Sequence, residues 1–188
     1  INAVIDAMTY GGFDRKGVLA AGNTVINGSM QYAPFLHKYY RDCLERFIVL
    51  EAGRKVGIND IEVRAIKAKH SEPNAVGFKF ITQEYTLTYP GDTIYSAETL
   101  PDYENSNVLI LNVPCMKKDE SKDNLCKEDA IKIIKKVNPR LAIITHFGIN
   151  FLKADPLYEA REIQKGTNVQ TIAATDGMVI NPVNYSVE

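Results

Sequence analysis

Three side chains able to hold a metal ion occur in order along the chain, each behind a strand-like run: His70, Asp92 and His146. His70 closes Ile61-Glu62-Val63-Arg64-Ala65-Ile66-Lys67-Ala68-Lys69. Asp92 sits in Tyr89-Pro90-Gly91-Asp92-Thr93, after Glu84-Tyr85-Thr86-Leu87-Thr88, and His146 follows Leu141-Ala142-Ile143-Ile144-Thr145. Imidazole and carboxylate are ligands of a hydrolytic zinc-type centre, and strand ends give them rigid supports. The Asp92 carboxylate has two oxygens and so is able to bridge two cations about 3.5–4 Å apart, where a shared water becomes a hydroxide nucleophile. Pro90-Gly91 predicts a tight turn ahead of it, with close approach of metal or substrate where glycine lacks a side chain. Taken singly, a histidine at a strand end is more often a hydrogen-bonded structural residue. The order of the three gives the metal reading its weight.

The elements that must position these groups are legible from periodicity and punctuation. Ile1, Val4, Ile5 and Met8 follow the i, i+3, i+4, i+7 spacing of a helix that Gly11-Gly12 ends, and Gly17 to Ala21 reads as a strand. Residues 27 to 45, with Tyr32, Phe35, His37, Tyr39 and Tyr40, read as loop plus short helix, mostly surface. Strands are expected at Phe47 to Glu51, Ile61 to Lys69, Val76 to Thr82 and Glu84 to Tyr89, broken by Gly, Asn and Asp. The rhythm then changes to β-α-β-α-β: strand Asn107 to Val113, helix Lys127 to Val137, strand Leu141 to Thr145, helix Pro156 to Lys165, strand Val169 to Ala174. Glu128 and Asp129 suit the first turn of one helix and Pro139 lies beyond its end; Asp155-Pro156 caps the other and Gly166 is expected to stop it. The mixed-charge run Lys117 to Asp123 reads as a solvated loop. An antiparallel meander leading into β-α-β-α units implies one mixed α/β domain over residues 1–188, a sheet with helices packed outside.

Composition bounds the rest. The 188 residues are 45% apolar and 24% charged, and 22 Lys plus Arg against 23 Asp plus Glu leave a formal charge of -1. That gives no global footprint of a nucleic-acid or membrane-surface binder. No apolar run approaches the ~20 residues needed to span a bilayer, and no secretory signal stands at the start, so a cytoplasmic location is expected. Cys43, Cys115 and Cys126 are odd in number and widely spaced, which argues for reduced, partly buried thiols. No Gly-x-Gly-x-x-Gly follows a strand, so a β-α-β nucleotide binder is a poor fit.

His70, Tyr89-Pro90-Gly91-Asp92-Thr93, Thr145-His146-Phe147-Gly148 and Ala174-Thr175-Asp176-Gly177 resemble, in order and approximate spacing, the metallo-β-lactamase-fold hydrolases. The wording is most similar to their ribonuclease Z-like and archaeal metal-dependent hydrolase branches. The resemblance covers nearly the whole chain and implies an α-β-β-α sandwich binding two divalent metals, zinc first, with manganese and iron suited to the same donors. It assigns His70 to the first metal, His146 to the second and the bridge to Asp92. Thr93, Thr145 and Asp176 fall to supporting positions, Asp176 being on its own terms a turn residue. The family's His-x-His-x-Asp-His motif, which stands before a helix like Ile1 to Met8, is absent. The chain is therefore expected to be N-terminally incomplete, and its three ligands alone to bind metal weakly or not at all. Where ribonuclease Z carries a His-Glu pair, this sequence has Leu111-Asn112-Val113 and no histidine nearby.

The function expected of the complete protein is hydrolysis by a metal-bound hydroxide. Its partner is a small-molecule or nucleic-acid phosphodiester, with no membrane, and a homo-oligomer is compatible with the sequence. The alternative is a non-catalytic ligand- or partner-binding protein on the same fold, its metals lost.

Overall fold

The computed structural model describes residues 1–118 and 123–187; of the loop expected at Lys117 to Asp123, residues 119–122 lie outside the described residues. The chain divides into two compact units, Ile1–Glu51 and Ala52–Glu188.

In the first unit, α1 (Asn2–Met8) ends where Tyr10, Gly11 and Gly12 all take positive φ. β1 (Val18–Gly22) leads into α2 (Asn23–Asn27), a short helix without a sequence signal. α3 (Lys38–Asp42) is the short helix expected in the aromatic stretch, capped by the His37 ring accepting from Tyr39 N. β2 (Arg46–Leu50) pairs parallel with β1. Ile5, Leu36, Cys43 and Leu44 form the small core, with Met8, Leu19 and Tyr40 packed against it.

The second unit holds the three sequence-selected residues. β3 (Lys55–Ile58), β4 (Ile61–Lys67), β5 (Val76–Ile81) and β6 (Thr86–Tyr89) form an antiparallel meander. After α4 (Leu100–Tyr103) come β7 (Val108–Asn112), α5 (Lys127–Val137), β8 (Leu141–Thr145), α6 (Ile149–Lys153), α7 (Pro156–Thr167) and β9 (Gln170–Ala173). The seven strands lie side by side in chain order, and pairing turns parallel from β6 onward. Leu109, Leu111, Ala142 and Ile144 pack with Ala130, Ile133 and Ile134 of α5 and Ala160 and Ile163 of α7. The alternate residues Val108, Leu141 and Ile143 form a separate cluster with Ile110, Ile172, Ile180 and Tyr185. Strands buried on both faces explain why β7 and β8 read as unbroken apolar runs rather than as alternation.

The helix ends follow local chemistry. Asp155 Oδ1 accepts from Leu157 N at 3.0 Å, as expected of the cap. Gly166 does not stop α7: the helix runs through it to Thr167, and Asn168, at φ 58, makes the left-handed exit. Asn138 does the same for α5. The three cysteines are free and buried, and burial pushes the Cys126 thiol up to about 12. No helix among the described residues is long and apolar enough to cross a membrane.

Two contacts fix the loops around the strand ends. Lys79 of β5 is only 9% exposed, and its ammonium donates to the carbonyls of Asp102 and Glu104 at the end of α4, at 3.0 and 2.6 Å. Burial, then the neighbouring Arg64 guanidinium, push its pKa down. Gly148 N donates to Pro114 O at 3.2 Å, an approach so close that a Cβ on Gly148 would stand 2.5 Å from that carbonyl oxygen. Gly148→Ala is therefore expected to destabilise the fold by about 1–3 kcal/mol, the range for overpacking. Lys79→Met, which removes a charged donor from two part-buried hydrogen bonds, should cost about 1.5–3 kcal/mol. Urea denaturation of each variant measures both losses.

Candidate metal centre

The two strands flanking β7 end alongside it, and the turn after each of them meets its last residue. β6 ends at Tyr89; Gly91, at φ 71 with open space around it, turns the chain. Backbone conformation, rather than close approach of another group, explains this glycine. The turn delivers Asp92, whose Oδ1 accepts from Asn112 Nδ2 at 2.7 Å. Asn112 is the last residue of β7 and pairs in register with Thr145, the last of β8. Val113 N donates to Thr145 O at 2.9 Å, and the chain then turns at His146, whose φ of 62 is a left-handed conformation uncommon outside Gly and one that Asn, Asp and His adopt more often than other side chains. That turn brings His146 Nε2 to 3.6 Å from Asp92 Oδ1, with the imidazole 56% and the carboxylate 34% exposed. Exposure at the mouth, over a buried Asn112, leaves both groups accessible to a ligand from solvent.

His70 is held differently. β4 ends at Lys67, not Lys69, so His70 stands three residues past the strand. Its segment is pinned to the turn after Asp92: Lys69 N donates to Thr93 Oγ1 at 3.0 Å and Ile94 N to Lys69 O at 2.8 Å. His70 Nδ1 lies 2.9 Å from the carbonyl oxygen of Asp123. A carbonyl only accepts, so Nδ1 carries the proton and the neutral ring keeps its lone pair on Nε2, the arrangement in which an imidazole is oriented for a metal. His70 lines a cavity of about 190 Å³ with Lys67, Lys69, Pro73, Ile94 and Asp123. Lys67 and Lys69 both reach Glu98, and their hydrogen bonds, Lys67 first, hold its carboxyl down to about 2.

The supporting residues divide. Thr93 is 1% exposed and joins the two loops through its hydroxyl, which also donates to Ile94 O at 3.1 Å. Thr145 contributes its carbonyl and its place in the ladder. Asp176 is exposed on a turn with Gly177, closed by Met178 N donating to Thr175 O at 3.1 Å. Asn112, noted in the sequence only as standing where a His-Glu pair is absent, touches the expected ligand Asp92 directly.

Around a tetrahedral ion with bonds of about 2.0–2.2 Å, neighbouring ligand atoms stand about 3.4 Å apart. The 3.6 Å between Asp92 Oδ1 and His146 Nε2 fits two ligands of one such cation. His70 does not join them: among the described residues, no group of three or more His, Cys, Asp or Glu is arranged around a common metal position.

A family model for the beta-lactamase superfamily domain matches residues 19–147. Over 183 residues the chain is 29% identical to the uncharacterized protein MJ1374 of Methanocaldococcus jannaschii, covering 96% of this chain and 68% of that protein. Among solved structures it is similar to the metallo-beta-lactamase fold protein YhfI of Bacillus subtilis, with a TM-score of 0.72 at 15% identity over 93% of this chain and 70% of that one. It is also similar to Igni18, a metallo hydrolase of Ignicoccus hospitalis, with a TM-score of 0.62 at 13% identity over 97% and 73%. The family match takes in two-thirds of the sequence and runs through the ends of β4, β6, β7 and β8, and on that ground the chain belongs to the beta-lactamase superfamily, with the mixed α/β architecture of the metallo-beta-lactamase fold.

Proposed function

We propose that this protein is a metal-dependent hydrolase in which Asp92 and His146 hold one divalent cation and His70, through Nε2, a second, with Asp92 between them. The observation that carries this reading is the 3.6 Å approach of Asp92 Oδ1 and His146 Nε2, the separation of adjacent ligands on one small cation. The hydrogen bond from His70 Nδ1 to the Asp123 carbonyl supports it by selecting the tautomer whose ring lone pair, in the neutral imidazole, lies on Nε2. Zinc is the first choice among cations, since two imidazoles and a carboxylate match its donor preferences. Cations bound here would supply Lewis acidity toward water and toward the scissile centre.

The chain's own residues would do the rest. Asp92 neutralises cation charge and fixes the centre to the end of β6. His146 would offer the cation its Nε2 from the turn that follows β8. The phosphodiester reading of the substrate rests on the ribonuclease Z-like wording of Tyr89-Pro90-Gly91-Asp92-Thr93 and Thr145-His146-Phe147-Gly148.

Asp92→Ala and His146→Ala are expected to lower zinc affinity by more than about 100-fold, beyond the ~10–100-fold typical of changes to outer-shell partners. Isothermal titration with zinc on the full-length protein reads this directly. A metal-supplemented comparison of bis(p-nitrophenyl) phosphate with thioester and lactone esters should favour the phosphodiester. Zinc binding of unchanged affinity and stoichiometry in both variants would remove these residues from the centre and leave the non-catalytic binding protein as the better reading.

A further inference from the structure

We infer that Asn112 is a positioning residue for Asp92, holding its carboxylate at a set distance from His146 so that a cation fits between them. The inference rests on the metal-centre reading and adds to it a residue that is not itself a ligand.

Asn112 is 5% exposed at the end of β7. Its Nδ2 donates to Asp92 Oδ1 at 2.7 Å, at the short end of the N–H···O range. A carboxylate only accepts, so the amide nitrogen must face Asp92 and the amide oxygen must face away. That oxygen, Oδ1 of Asn112, is buried with no hydrogen-bond partner among the described residues. Orphaned buried acceptors are uncommon and costly, and leucine, larger but with the same branched outline, brings no orphan. The packing at this position therefore gives no reason for an amide. Its single useful contact is the one to Asp92.

The effect of that contact depends on which oxygen it takes. The Asp92 oxygen bound by Asn112 is the one 3.6 Å from His146 Nε2. A carboxylate and an imidazole left to themselves close to hydrogen-bond distance, about 2.7–2.9 Å. At that separation the two groups satisfy each other, and a cation must break the pair to bind. Anchored from below by the amide, Oδ1 stays at the wider spacing. Asn112 in turn is fixed by its ladder pairing with Thr145, one residue before His146, so the holder and the far side of the gap belong to neighbouring strands. A merely strand-ending asparagine would affect folding and leave metal affinity alone.

Zinc titration and thermal unfolding of Asn112→Leu and Asn112→Ser in the full-length protein test this, with Asp92→Asn alongside. In Asn112→Leu the removal of the orphan offsets the extra volume, so the melting temperature is expected to stay near the parent's while zinc affinity falls about 10–100-fold. Asn112→Ser, too short to reach Asp92, should show the same loss of affinity and supplies the answer if the leucine variant does not fold. If both Asn112 variants bind zinc like the parent while Asp92→Asn has lost it, the positioning role is overturned and the metal centre stands; a lowered melting temperature with unchanged affinity overturns it equally. If Asp92→Asn binds zinc like the parent, the metal-centre reading falls and takes this inference with it.

Discussion

The candidate centre depends on the parallel pairing of β6, β7 and β8. Parallel neighbours run in one direction, so their C-terminal ends lie along one edge of the sheet, and the loops that leave them meet there. Asp92 comes just after β6, Asn112 ends β7 and His146 comes just after β8, which is why residues distant in sequence come together, Asn112 hydrogen-bonded to Asp92 and His146 3.6 Å from it. Had β7 or β8 run antiparallel, its last residues would stand at the opposite end of the sheet. The meander upstream is antiparallel, and the change of sense at β6 is the step that creates the edge.

Several local costs gather at this edge. His146 takes a left-handed backbone, Gly148 presses against Pro114, and Asn112 keeps an amide oxygen without a partner among the described residues. Features of this kind persist where surrounding structure over-determines them. Here the surroundings are β7 and β8, nearly all of whose residues are buried, with helices α5 and α7 packed against Leu109, Leu111, Ala142 and Ile144. Lys127 of α5 paired with the buried Glu159 of α7 ties that layer together. The rigid sheet gives the strained ends little room to relax.

His70 reaches the neighbourhood by another route. Its strand stops at Lys67, and hydrogen bonds to Thr93 and Ile94, not sheet pairing, hold it beside the turn that carries Asp92. Thr93 thus ties the His70 segment to the turn that carries Asp92 through its side-chain hydroxyl. Glu98, with its carboxyl drawn down to about 2, stays ionised across ordinary pH and clamps Lys67 and Lys69 on the approach to His70. These features concern loops, where the chain departs from regular periodicity.

The sequence by itself determined most strands, the two long helices and their caps, because burial on one or both faces and capping chemistry act over a few residues. It also singled out His70, Asp92 and His146 as chemically able residues at strand ends. It did not reveal the short helices α2, α4 and α6, too brief to show a period, nor the exit of α7 at Asn168 in place of Gly166. Only the tertiary structure decided that Asp92 and His146 face each other while His70 stands apart with Nδ1 committed to a carbonyl. It alone revealed Asn112 as the residue beneath Asp92. Those are facts of register and loop geometry: which strand ends become neighbours depends on pairing across the whole sheet, and no local pattern of residues encodes it.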